Sequence, residues 1–231
     1  YDMDFAEAIV HSSNIVFAQI GRKLGRNKMS EIFSAFGYDS QPEKLLGASL
    51  GFQSGKYPSK ENFMRERSPD GMVFTIPSVA FGKEFEVPPL DHVMALSSLA
   101  NGGTLFRPRL ILDRPLQKGE RVLSVNTCEL IVDAMHKMVM HPPRTWLPHR
   151  DKFDYCGKSG TSQHKTGPAA GGYTSLFTAF GPKENPEILV LVAAFGTRGK
   201  KENYYGSRVC GPAAGNILYR ALQLRGTLPF E

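Results

Sequence analysis

The sequence is poor in the residues from which metal and redox sites are built. Its three cysteines, Cys128, Cys156 and Cys210, form no CxxC pair, which argues against a zinc cluster or a disulfide framework and leaves them as small core residues. Its six histidines make no HExxH or HxH pair, so no metal and no cofactor are assigned. The longest apolar run, Ile188 to Phe195, falls far short of the roughly 20 residues a membrane helix needs. No long Lys/Arg block is interleaved with aromatics, which weighs against nucleic acid as a partner despite a net charge of +6. No internal repeat or low-complexity tract appears. What remains is a 231-residue chain, 41% hydrophobic and 22% charged, an ordinary globular composition able to bury a real core. It opens on Tyr1, and the expectation is that it starts partway through a longer protein, with any targeting segment upstream.

Helical spacing dominates the first half. Phe5, Ala8 and Ile9 mark one helix, Ile15 to Leu24 a second closed by Gly25, and Met29 to Phe36 a third closed by Gly37. The first two meet at Ser12-Ser13-Asn14. Residues 38–76 follow no period and read as a long irregular excursion. Helical spacing returns from Pro89 to Leu99, stopped by Asn101-Gly102-Gly103. It returns again from Leu130 to Met138, with Asn126 and Glu129 as a capping box. Beyond residue 150 the pattern changes: Asp154 to Gln163, Tyr173 to Gly181 and Glu187 to Gly196 read as strands, and Val209 to Leu224 as an amphipathic helix. Helices, then a meander, then a covering helix make an α+β chain with an antiparallel sheet flanked by helices, not alternating βαβ units.

Two segments bear on chemistry. Gly157-Lys158-Ser159-Gly160-Thr161 gathers hydroxyls, glycines and one cation on a strand. A phosphate-binding loop would need a glycine where Lys152 stands and a helix afterwards, so that reading fails; a plain surface strand stays open. Ser12-x-Asn14 sits where one helix gives way to another, where Ser and Asn also serve simply as caps.

Taken together, the two segments resemble the penicillin-binding protein transpeptidase domain, whose site combines Ser-x-x-Lys, Ser-x-Asn and Lys-Thr/Ser-Gly. The resemblance runs along nearly the whole chain. Ala80-Phe81-Gly82, Val87-Pro88-Pro89-Leu90, Ala100-Asn101-Gly102-Gly103, Phe106-Arg107-Pro108, Ala179-Phe180-Gly181-Pro182 with Asn185-Pro186, Tyr205-Gly206 and Pro212 are similar to stretches of that family. The spacing suits its high-molecular-weight class B type. Class A β-lactamases carry a Glu-x-x-Leu-Asn segment for deacylation, and none is found here.

The resemblance implies a β-lactamase/transpeptidase-like fold of which this chain is a single partial domain. Residues 1–150 form its mainly helical part, 151–231 a three-stranded antiparallel meander plus a C-terminal helix, and the family's first two strands lie upstream. It implies that Ser12 relays protons and Asn14 hydrogen-bonds the substrate amide. Lys158 supplies positive charge, Ser159 and Thr161 bind the substrate carboxylate beside Gly160, and the Thr161 N–H gives an oxyanion donor. The nucleophile's Ser-x-x-Lys would lie upstream of Ser12. The string Ser162-Gln163-His164-Lys165 follows the third motif at a strand end and reads as coincidence, as does Lys165-Thr166-Gly167.

The implied activity is cross-linking of peptidoglycan stem peptides ending in D-Ala-D-Ala through an acyl-serine, with β-lactams as competing ligands. The implied location is the cell envelope, on the outer side of the inner membrane behind an upstream anchor. The partner expected for this chain is the upstream segment carrying Ser-x-x-Lys, without which the chain would be inactive. A serine β-lactamase or D,D-carboxypeptidase of the same fold, and a non-catalytic module binding β-lactams or muropeptides, remain as alternatives.

Overall fold

The computed structural model describes residues 3–38, 55–65, 74–109, 112–113, 115, 117–142, 144–164, 170–199 and 203–230. Residues 39–54 and 66–73 of the irregular excursion, and the Lys165-Thr166-Gly167 string, lie outside the described residues. The chain divides into two compact units, the first comprising Tyr1–Ala8 and Ser12–Cys128 and the second Ile9–His11 and Glu129–Glu231.

In order, the elements are α1 (Phe5–His11), α2 (Asn14–Ala35), α3 (Lys60–Met64), α4 (Ile76–Ala80), α5 (Pro89–Ala100), β1 (Thr104–Leu105), β2 (Glu120–Arg121), α6 (Val125–Met140), β3 (Cys156–Gln163), β4 (Tyr173–Gly181), β5 (Ile188–Thr197), α7 (Gly206–Val209) and α8 (Gly211–Leu224).

In the first unit, α2 is interrupted at Gly25, whose φ of 73° no helix accommodates, and resumes at once. The helix expected to close at Gly25 does so, and the one expected after it follows directly across the kink. Buried Met29, Phe63, Phe74 and Val79 form this unit's core, with Phe33 and Phe85 packed against it. The Tyr38 hydroxyl lies 3.2 Å from Nδ1 of His92, tying the end of α2 to α5. Part of the excursion is structured: α3 is capped by Ser59, whose hydroxyl accepts the Asn62 N–H at 3.2 Å, and Glu86 N–H bonds to the Lys56 carbonyl at 2.7 Å. The hairpin of β1 and β2 was not legible in the sequence, because two-residue strands carry no period.

The start of α6 differs from the expected capping box. Ser124, not Asn126, caps it by accepting the Thr127 N–H at 3.2 Å, and its hydroxyl also pairs with that of Thr127 at 2.8 Å. Serine caps as well as asparagine does, so the earlier residue begins the helix.

The second unit is an antiparallel sheet in the order β3-β4-β5. Its core joins Phe177 and Ala179 of β4 to Ala214, Leu218 and Leu222 of α8, with Met138 and Val139 of α6 and Val10 of α1. Val190 and Val192 of β5 pack against it, which explains the amphipathic spacing of α8 and the apolar run of β5. The three cysteines are free and buried. Among the described residues no helix is long and apolar enough to cross a membrane.

Candidate active site

The junction of α1 and α2 assigns its three polar residues different tasks. Ser13 is the cap: its hydroxyl accepts the Val16 N–H at 3.4 Å. Ser12 is held at φ 54°, in the left-handed region where a non-glycine residue is strained. Asn14 opens the helix with an exposed side chain. The capping that could have accounted for the whole run is thus done by the one residue that the Ser-x-Asn pattern leaves unspecified.

Lys158, Ser159, Gly160 and Thr161 lie consecutively on β3, paired with Thr178, Phe177, Leu176 and Ser175 of β4. The glycine before them is dictated by packing, since a Cβ at Gly157 would stand 2.8 Å from the Phe177 ring and 3.1 Å from Val139. Lys158 is half-buried, and Nζ donates to the Ser159 carbonyl at 2.8 Å. Burial, and secondarily the charge of Arg144, lower its pKa to about 8.

The consequences for function and stability have opposite signs. Any anion held by Lys158 is expected to bind more weakly as pH rises through about 8, because the ammonium loses its charge. Stability is expected to rise from there towards pH 10.5, where the unfolded lysine still binds its proton and the folded one does not. Anion binding measured against pH, and urea unfolding at pH 7 and pH 10, check the two halves.

Thr161 is oriented from outside the strand. Its hydroxyl accepts the Gly206 N–H at 2.9 Å, so its own hydrogen is left to donate to another acceptor, the polarity a carboxylate requires. This depends on a close approach: a Cβ on Gly206 would overlap the carbonyl oxygens of Gly160 and Leu176. Ser175 reinforces the same contact by donating to the Tyr204 carbonyl. In the sequence Tyr205-Gly206 stands only as a stretch similar to the family that the chain resembles. The task of Gly206 depends on a strand 45 residues away and has no local sequence signal.

Opposite Lys158, Thr178 is buried and its hydroxyl has no hydrogen-bond partner among the described residues. Directly paired residues project from the same face of a sheet, so this orphaned hydroxyl shares the face of Lys158. Thr178→Val is expected to stabilise the fold by about 1 kcal/mol, since it removes an unsatisfied polar group at nearly constant volume. The midpoint of denaturant unfolding measures it.

Ser162 lies inside β3, where extended backbone and not a helical turn carries the chain onward, so nothing there sets a lysine one turn away. Ser12 and Asn14 belong to the first unit and Lys158 to Thr161 to the second. Among the described residues no group of three His, Cys, Asp or Glu side chains is arranged to hold a metal ion.

Comparison with known proteins follows the same line. The family model described as penicillin binding protein transpeptidase domain matches residues 1–219. Stage V sporulation protein D of Bacillus subtilis is 25% identical over 241 residues, covering 97% of this chain and 35% of its own length. The probable peptidoglycan D,D-transpeptidase FtsI of Caulobacter vibrioides is 26% identical over 241 residues, covering 97% of this chain and 38% of its own. The chain thus spans little more than a third of either relative. Among solved structures, the TP domain of penicillin-binding protein 3 from Burkholderia pseudomallei superposes with a TM-score of 0.76 at 22% identity, over 99% of this chain and 66% of that one. That likeness establishes the α+β fold.

Proposed function

Because the chain belongs to the penicillin-binding protein transpeptidase family, we propose that it is the part of a serine D,D-transpeptidase that relays protons and binds the substrate carboxylate, while the nucleophile lies outside these residues. The observation that carries this reading is β3: a cation of lowered pKa and an oriented hydroxyl donor three residues apart on one strand. A peptide ending in a free carboxylate offers the matching acceptor.

In the proposed reaction, a serine oxygen attacks the carbonyl of the penultimate D-Ala, and the peptide bond to the terminal D-Ala breaks. The nucleophile's proton passes through Ser12 to the departing amine. Asn14 holds the substrate amide. The Thr161 N–H stabilises the developing oxyanion, a contribution worth about a hundredfold to a thousandfold in rate. Lys158, Ser159 and Thr161 hold the terminal carboxylate beside Gly160, whose lack of a side chain fits the Leu176 side chain on β4. An amine from a second stem peptide then attacks the acyl-serine and completes the cross-link. A β-lactam enters as a substrate mimic whose ring-opened acyl group stays attached. The substrates and the acyl-serine reaction imply action in the cell envelope.

The test is intact-mass spectrometry of the full-length protein before and after a penicillin, followed by peptide mapping. One adduct on a serine outside these residues, with this chain unmodified when incubated alone, is the expected result. An adduct on Ser12 or Ser162 would overturn the assignment. Rapid release of hydrolysed drug would point to a β-lactamase, and no adduct at all to a non-catalytic binding module.

A further inference from the structure

The side chain of Arg144 joins two helix ends. Its Nη1 donates to the Met138 carbonyl in the last turn of α6 at 2.6 Å, and its Nη2 donates to the Val10 carbonyl in the last turn of α1 at 2.8 Å. Both oxygens belong to terminal turns, where carbonyls lack helical partners and carry the negative end of the dipole. A planar guanidinium can hold two such oxygens at once; a lysine ammonium, a single point charge, cannot reproduce that fork. The clamp is supported on both sides. The rings of His11 and His141 meet edge to face at 5.0 Å, Val10 is buried in the core of the second unit, and the Arg144 carbonyl accepts from Nη1 of Arg150 at 3.3 Å.

Two residues beyond Val10 the chain reaches Ser12, at the strained φ of 54°. A strained turn persists only where its surroundings over-determine it, and the carbonyl held by Arg144 is on the residue two before it.

We propose that Arg144 is a positioning residue for the transpeptidase reaction, fixing the last turn of α1 so that the Ser12 turn is held in its strained form. The inference rests on the function proposed above. Arg144 also acts on the strand motif: its charge is the neighbouring ionic influence on Lys158, added to that of burial. One side chain therefore bears on both motifs, on Ser12 through the backbone and on Lys158 through its field.

The test uses the full-length protein with Arg144→Gln and Arg144→Lys. Three quantities are followed: the second-order rate of acylation by a fluorescent penicillin, the thermal midpoint, and the pH dependence of Lys158 modification by an amine-reactive ester, resolved by peptide mass spectrometry. For Arg144→Gln, acylation is expected to fall at least tenfold and the Lys158 midpoint to move upward. Arg144→Lys is expected to restore the midpoint, because the charge is kept, while recovering only part of the rate, because the fork is lost. Equal loss of rate in both variants with an unmoved Lys158 midpoint would mean a merely structural role and overturn the proposal. So would Arg144→Gln acylating at the wild-type rate. A wild-type protein that takes no penicillin overturns the transpeptidase reading itself and this role with it, whereas wild-type acylation retained by Arg144→Gln overturns this role alone.

Discussion

Ser12→Ala in the full-length protein is expected to lower penicillin acylation by about a hundredfold to ten thousandfold, the range a positioned proton-transfer group contributes. The backbone at this residue supplies an internal control. Ser12→Gly removes the same hydroxyl and should lose the same activity. It should nevertheless be more stable than Ser12→Ala by about 1 kcal/mol, since only glycine adopts φ 54° without strain. Ser13→Ala gives the mirror image: loss of the α2 cap costs about 1 kcal/mol and leaves acylation close to wild type. Activity should thus follow residue 12 and capping residue 13. A Ser12→Ala protein that acylates normally, or a Ser13→Ala protein that does not, would reverse the assignment.

Among the described glycines of the second unit, Gly206→Ala is expected to produce the largest loss of stability. The new Cβ would meet two main-chain oxygens, those of Gly160 and Leu176. Backbone carbonyls in a sheet cannot rotate aside as a side chain does. Overpacking in well-filled interiors costs about 1–3 kcal/mol, and this site belongs at or above the upper end. The damage is also functional, because α7 can keep its N–H on Thr161 only at this separation. Thr161→Val isolates that part: it removes the hydroxyl and should weaken carboxylate recognition by about tenfold to a hundredfold, the worth of a hydrogen bond to a charged group. Thr161→Ser should retain most of it. Thermal midpoints and penicillin acylation rates decide both. A Gly206→Ala protein with wild-type stability would show that α7 does not bear on β3 as described.

The sheet was legible because its pattern is local. Strands read at Asp154 to Gln163, Tyr173 to Gly181 and Glu187 to Gly196 appear as Cys156–Gln163, Tyr173–Gly181 and Ile188–Thr197, since β-branched and aromatic runs bounded by turn residues leave few alternatives. The helices were equally visible, but their ends were less so. Ser124 took the cap read at Asn126, because several nearby residues can end a helix. The irregular excursion held α3 and ran into the start of α4, each five residues long, too short for a period to show.

Of the site, the sequence alone determined the chemical types and their order: a Ser-x-Asn at a helix junction and a Lys-Ser-Gly-Thr on a strand, both of which follow from spacing and neighbouring residues. Only the tertiary structure decided what those residues experience. Ser13 caps and so leaves the helix start independent of Ser12, burial and Arg144 bring Lys158 to about 8, and Gly206 turns the Thr161 hydroxyl into a donor. The first turns on a contact three residues along the chain, but the other two depend on a neighbour brought close by folding or on water excluded by it, and neither the approach of a distant backbone group nor the loss of solvent is written in local order.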